Sequence, residues 1–204
     1  PLKDLKGRKS LWQVIIKGVD DGNLTAYSTG PDGADDEFTY KLEPEQVKGL
    51  LNIPITVKNY INADEYVLKD TMITREAEDI VGYRLKEDWI FDKQRSQRYV
   101  RIIGIAPIAA IQIGNKVVKR PLFWVYYPEL RTSLAKAEVY NPRNISSRIT
   151  WEELFESRYF NGYVVKSTLD NYNDKMLNAL FKDPIKRLQE GEKIKQKIFD
   201  FEQD

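Results

Sequence analysis

The sequence predicts an α+β fold: a largely antiparallel β-meander with packed helices and a C-terminal amphipathic helix. Three observations carry that prediction. Between residues 83 and 144 the apolar-dense segments YRLKEDWIF, RYVRIIGIAPI and PLFWVYY are separated by turn signals at hairpin spacing, which makes this block the central sheet. On either side of it, residues 10–22 and 150–162 repeat apolar positions at helical period, each behind a hydroxyl residue set three places before Gln or Glu. Residues 175–204 add another helical pattern, so the organisation expected is a main domain over 1–182 and a helix over 183–204 that either packs or projects.

In chain order, Ser10 and Gln13 form a capping box, Leu11, Val14, Ile15 and Val19 share a face, and Gly22 stops the helix. Residues 24–29 read as a short strand, the loop GPDGADD follows, and Phe38, Tyr40 and Leu42 alternate as the returning strand of a hairpin. Pro44 suits the first turn of a helix carrying Val47, Leu50 and Leu51. Residues 53–69 are a weaker mixture of short strand and turn signals.

The central block then reads as a strand over 80–91, a turn over 92–96, and a strand over 98–105 that Pro107 bends or ends. Ile111 and Ile113 face Val117 and Val118 across the Gly114-Asn115 turn. The run 122–127 is entirely apolar or aromatic, which a strand tolerates when both faces are covered, by the protein itself or by a partner. Pro128 opens a helix in which Leu130, Leu134 and Ala137 share a face.

Superimposing Ser10 on Thr150 places Leu11 on Trp151, Gln13 on Glu153, Val14 on Leu154, Ile15 on Phe155, Val19 on Tyr159, Gly22 on Gly162 and Leu24 on Val164. This is either a repeated helix-strand unit or a common supersecondary grammar. In the last segment, Asp183-Pro184 starts a new helix with Ile185, Leu188, Ile194, Ile198 and Phe201 as a broken apolar stripe. That stripe serves packing on its own domain or docking of another chain.

Composition narrows function by exclusion. With 204 residues and 42 % hydrophobic content, the chain can bury roughly 70 % of its unfolded surface, enough for one main core. It has neither histidine nor cysteine, which removes Cys/His zinc sites, thiol nucleophiles, Ser-His-Asp triads and imidazole bases together. Basic residues number 32 against 31 acidic, so no net field steers it to nucleic acid or an anionic membrane, and protein partners are expected. No run of 18 apolar residues occurs, and residues 1–10 are basic and polar, unlike a signal peptide. The ends, a Pro1 start and a finish within a helical pattern at Phe201 to Asp204, read as those of a piece trimmed from something longer.

Candidate chemistry is sparse. Glu87, Asp88 and Asp92 cluster near Trp89 as paired carboxylates do in glycan hydrolases, but strand alternation separates Glu87 from Asp88, and Lys86, Lys93, Arg95 and Arg98 supply countercharge. Ion pairing depresses a carboxylate's pKa, the wrong direction for a general acid. Asp20, Asp21, Asp32, Asp35 and Asp36 lack the spaced ligand set of a calcium loop and read as solvated turns. Trp124, Tyr126 and Tyr127, beside Tyr99, are types that stack on bases or sugars, yet their apolar context favours a core or a protein interface. A stand-alone sugar-binding module is the further alternative, and it requires an exposed aromatic strip.

The segments KEDWIFDKQRS (86–96), VRIIGIAPI (100–108), PLFWVYYPELR (121–131) and AKAEVYNPRN (135–144) resemble the gliding-motility protein N family, GldN/PorN, of the type IX secretion system. TWEELFESRYFNGYVVKS (150–167) and SLWQVIIKGVDDGNLTAY (10–27) fit the same pattern in the same order, so the resemblance covers nearly the whole chain. It implies a non-catalytic, periplasmic structural subunit with no cofactor or metal, held at the inner face of the outer membrane without inserting into it. It implies self-association in a ring with a partner K lipoprotein, contact with the M motor subunit, and in family members a signal peptide, a further N-terminal segment and sometimes a longer C-terminal tail. Contact residues expected on charge and aromatic character are Lys86, Asp88, Trp89, Asp92, Arg95, Arg98, Trp124, Tyr126 and Tyr127, with Trp151 a further core or interface anchor. Intramolecular pairing that fixes the 86–98 hairpin is the competing role for the charged members.

Overall fold

The computed structural model describes residues 8–60, 66–95, 97–113, 116–141 and 147–200. Ser96, the Gly114-Asn115 turn, residues 142–144 of AKAEVYNPRN and the chain ends at 1–7 and 201–204, Phe201 of the stripe included, lie outside the described residues. The chain forms two compact units: Pro1–Glu87 with Ile102–Glu156, and Asp88–Arg101 with Ser157–Asp204.

The first unit holds an antiparallel sheet in the order β1-β7-β5-β4, with β6 also paired to β5. Helix α1 (Leu11–Asp20) begins as expected: Ser10 Oγ accepts from the Gln13 N–H at 3.2 Å, and Gln13 Oε1 accepts from the Ser10 N–H at 3.0 Å. Its buried face is Leu11, Trp12, Val14, Ile15 and Gly18, with Val19 half-buried at the margin. The expected 24–42 hairpin shrinks to β1 (Ala26–Tyr27) and one bridge, Tyr27 to Lys41. Phe38 causes this, because its φ of 55° breaks the extended run. Strand β1 instead pairs with the distant β7, Ala26 opposite Val125.

Helix α2 (Pro44–Leu51) buries Val47 and Leu51 and leaves Leu50 exposed. The region read as mixed signals is corrected: β2 (Asn52–Tyr60) and β3 (Tyr66–Thr74) form a regular antiparallel ribbon, Asn52 opposite Thr74 through to Tyr60 opposite Tyr66. Neither strand alternates cleanly, because neither has one wet and one dry face, and so period-two patterning failed to mark them.

A short 3-10 turn at Ala77–Asp79 leads into β4 (Ile80–Asp92) and then β5 (Gln97–Ile113). Of the two outcomes expected at Pro107, an end to β5 is corrected, since the strand continues six residues beyond it. Between the pairs Ile105–Val125 and Ile108–Pro121, β5 has two residues and the facing chain three, which is a bulge. Proline fits there because no ladder bond needs its missing N–H, while its carbonyl accepts from Leu122 N–H at 2.9 Å. Strand β6 (Lys116–Pro121) sets Val118 opposite Ile111 and Val117 opposite Gln112, and β7 (Trp124–Tyr126) follows the bulge.

Within 122–127 every residue except Tyr126 is buried, so this chain itself covers both faces. Helix α3 (Tyr127–Ala135) then buries Leu130 and Leu134, with Ala137 buried just beyond its end, and packs on α1. A small pairing of β8 (Glu138–Val139) with β9 (Ile149–Thr150) leads to α4 (Trp151–Glu156). Its capping box matches that of α1: Thr150 Oγ1 accepts from Glu153 N–H at 3.2 Å, and Glu153 accepts from Thr150 N–H at 2.8 Å. There the parallel between the two helix starts ends, since α4 has six residues, Arg158 turns the chain at φ 53°, and Val164 is not in a strand.

The second unit contains the β4–β5 tip and helices α5 (Leu177–Leu180) and α6 (Pro184–Asp200). Asp183 starts α6 as the Asp-Pro signal predicts, its carboxylate accepting from Ile185 N–H at 2.9 Å. The face of α6 that packs centres on Gly191, with Ile194 and Ile198 half-buried, whereas Ile185 and Leu188 are exposed. A Cβ at Gly191 would lie 2.9 Å from the Val164 carbonyl oxygen, so glycine is what lets the helix approach that backbone. Lys197 adds an ion pair to Asp170 at 3.0 Å.

Candidate protein interface

Two clusters gather the residues singled out in the sequence, and each lies within one unit. In the first, the acidic loop 30–37 is held by cations that bind its backbone carbonyls, with Lys86 reaching its carboxylates as well. Arg84 donates to Gly33 O at 2.7 Å, Lys86 to Asp36 O at 2.7 Å, and Arg120 to Gly30 O at 2.7 Å and to Pro31 O. Trp124 Nε1 donates to Asp35 O at 2.8 Å. Within the loop, Asp32 and Asp35 accept from Ala34 and Glu37 N–H at 3.1 and 3.0 Å, the geometry of Asx turns.

Phe38 is the pivot that sequence reading missed. Its ring packs on Tyr27 at 5.6 Å, Trp124 at 5.5 Å and Tyr126 at 6.4 Å, with the Lys86 ammonium 5.6 Å from its centroid. A left-handed backbone costs a non-glycine residue about 1 kcal/mol or more, which this seat offsets. Gly104 makes room for it, because a Cβ there would lie 2.7 Å from Phe38 Cε1. No local pattern signals such a residue, since its four neighbours come from three separate stretches of chain. Lys86 also faces Asp36 and Glu37 carboxylates at 3.5 and 3.4 Å, so it ties the loop to β4.

The remaining aromatics of this unit divide by burial. Trp124 is 1 % exposed and Tyr127 is buried, whereas Tyr126 reaches solvent at the end of β7. Trp124, Tyr126 and Tyr127 therefore do not line up as an exposed stacking platform. Tyr127 packs edge-on against Phe155 at 5.7 Å, and its hydroxyl is buried without a hydrogen-bond partner. Burial pushes that hydroxyl up to about 12, with the Glu156 carboxylate adding to the shift. Arg131 clamps α3 to α4 through Glu152 at 2.9 Å and Glu156 at 3.2 Å, and the Glu152 hydrogen bond raises its pKa. The guanidinium is half exposed, so solvent screening leaves this clamp a small stabilising effect. Trp151 Nε1 donates to Lys9 O at 2.9 Å, tying the start of α4 to the segment before α1.

In the second unit the hairpin tip is organised by Asp92, whose carboxylate accepts from Gln94 N–H at 3.0 Å and Arg95 N–H at 3.2 Å. Trp89 meets Phe199 of α6 edge-on at 6.3 Å, and two guanidiniums cover it, Arg98 at 5.4 Å and Arg158 at 5.7 Å. Arg98 also lies 4.4 Å from the Phe199 centroid. Such contacts contribute about 0.5–1 kcal/mol each at partly exposed sites. Asp88 and Arg95 are left facing solvent, Arg95 with 74 % of its side chain exposed and its Nε only 4.0 Å from Asp92.

A cleft of about 260 Å³ in the first unit is lined by Ser28, Thr29, Gln46, Arg120 and apolar neighbours, with no acidic residue in its lining. That is small for a ligand site, which usually spans roughly 300–1,000 Å³. Arg120, its one cation, is already engaged by the loop carbonyls.

A family model described as "Gliding motility associated protein GldN" matches residues 3–204. The chain belongs to the GldN family. The resemblance read from the 86–96 and 121–131 segments is thereby established over essentially the whole length, and the chain is a gliding motility associated protein. No curated protein matches it. Among the described residues of this GldN-family chain, no helix is long and apolar enough to cross a membrane.

Proposed function

We propose that this chain is a structural, non-catalytic subunit of the type IX secretion and gliding machinery. It lies in the periplasm at the inner face of the outer membrane, forms a ring with the K lipoprotein, and contacts the M motor subunit. The family match over residues 3–204 carries the reading. The geometry supports it in one respect: of the polar groups singled out in the sequence, Asp92 is engaged by the turn N–H groups and Lys86 by the acidic loop. The hairpin tip, with Asp88 and Arg95 turned outward, is the surface of charge we assign to partner contact.

The test is binding of the purified chain to purified K lipoprotein and to the periplasmic part of the M subunit. We expect both to bind, and the pair D88K/R95E to weaken at least one of them about tenfold while circular dichroism is unchanged. Retention of neither partner by the unmodified chain would overturn the assignment. Unchanged affinities in the variant would move the contact away from the tip.

A further inference from the structure

The cleft of the first unit has a divided lining. Leu42, Leu50, Ile111, Pro121 and Leu122 make one part of it apolar, and Ser28, Thr29, Gln46 and Arg120 bring polar groups to the rest. Its volume of about 260 Å³ is too small for a cofactor, yet an apolar cavity of about 150 Å³ already holds benzene. An occupant the size of one amino-acid residue fits.

The polar groups are partly spent on the fold, and what remains has one character. The Thr29 hydroxyl donates to Pro121 O at 3.3 Å, Ser28 Oγ accepts from Gly30 N–H at 3.1 Å, and Gln46 Oε1 accepts from Glu43 N–H at 2.8 Å. The Ser28 hydroxyl proton and the Gln46 amide N–H groups are left over. Arg120 meets both loop carbonyls, Gly30 O and Pro31 O, through Nη2, so its Nε and Nη1 make no hydrogen bond among the described residues. No carboxylate of the acidic loop lines the cleft, and Asp32 and Asp35 accept from Ala34 and Glu37 N–H instead. Spare donors therefore accompany the single charge of the lining, which is positive.

Donors around a guanidinium select an anion, and the planar fork of arginine suits a carboxylate. A bare phosphate or sulfate would leave the apolar lining unused, so the anion must be carried on an apolar body. Gln46 and Leu50 are exposed, which leaves that wall of the cleft open for a chain to lead away. A free carboxylate beside an apolar side chain, with a chain leading away from both, is the last residue of a polypeptide.

We propose that the cleft binds the C-terminal residue of a partner polypeptide, with its carboxylate on Arg120, Ser28 and Gln46 and a branched apolar side chain against Leu42, Leu50 and Ile111. The site lies wholly in the first unit and does not rest on the partner set proposed above.

Three probes test it by amide chemical shifts of the isotope-labelled chain: the peptide Gly-Ser-Gly-Ser-Leu with a free C-terminus, the same peptide ending in an amide, and N-acetyl-leucine. The free-acid peptide should shift Ser28 to Gly30, Gln46 to Leu50 and Leu122 saturably, and the amide-ended peptide should bind at least tenfold more weakly. Leu50→Glu sets a carboxylate at the open wall and should weaken the free-acid peptide at least tenfold. Absence of saturable shifts at millimolar peptide, equal binding of acid and amide, or undiminished binding by Leu50→Glu would each overturn the proposal. Tighter binding of N-acetyl-leucine than of the peptide would overturn it in favour of a small free acid as occupant. The comparison of acid with amide uses the unmodified protein, so it decides the matter even where Leu50→Glu folds poorly.

Discussion

The run Leu122 to Tyr127 and strand β3 are both rich in apolar side chains, yet the first is buried at every residue but Tyr126 and the second is exposed at all nine. Composition does not separate them. The difference lies in neighbours: β7 has a strand on each side, β1 and β5, with α1 and α3 in the same unit, whereas among the described residues β3 has β2 alone. An apolar strand is driven inward only if the fold supplies surfaces to bury it against, and here the topology supplies them to one segment and withholds them from the other.

The sharpest way to break that comparison is to truncate one residue in the buried run. Phe123 is wholly buried and its ring lies 6.4 Å from that of Trp12, so it joins the sheet to α1. Phe123→Ala removes both its burial and this contact and leaves a cavity, and we expect a loss of about 3–5 kcal/mol in urea unfolding. A loss below about 1 kcal/mol would mean that the run is not the core.

How much of this was legible follows from the same distinction. The caps of α1 and α4, the Pro128 helix start, the Asp183-Pro184 start and the covered 122–127 run were read directly, because each is decided by residues within a few positions of one another. Phe38 was misread as part of a strand because its left-handed backbone is set by Tyr27, Trp124, Tyr126 and Lys86. Whether Pro107 bends or ends its strand is not legible locally, because the extra residue that accommodates it sits on the facing chain. The 53–69 region was unreadable because an exposed ribbon has no wet-dry alternation to betray it. Of the interface candidates, Lys86, Trp89, Asp92, Arg98 and Trp124 make contacts within the chain, and Trp89 gathers Arg158 and Phe199 from distant stretches that no spacing rule joins.

A gentler probe of the buried run sits at its last residue. The Tyr127 hydroxyl is buried without a partner, so Tyr127→Phe removes an unmet polar group rather than a bond, and stability at neutral pH should hold or rise by up to about 1 kcal/mol. The pH dependence follows from the shift: Tyr127 moves from 10.0 when unfolded to about 12 when folded. Folding therefore favours the neutral phenol, and this contribution is complete below pH 10 and lost as pH rises through about 12. Burial raises Tyr83 as well, so some alkaline loss remains in the variant. Denaturation at pH 7 and at pH 11 measures both, and the advantage of Tyr127→Phe should widen at pH 11.

The smallest expected effect belongs to β3. Met72 is 67 % exposed and stands opposite Pro54, so Met72→Thr replaces an exposed apolar side chain with a good strand former. In dilute solution the change in unfolding free energy should stay within about 0.5 kcal/mol, as for most surface substitutions. A loss above about 1 kcal/mol would mean that Met72 is covered after all, and the contrast between the two strands would then fail.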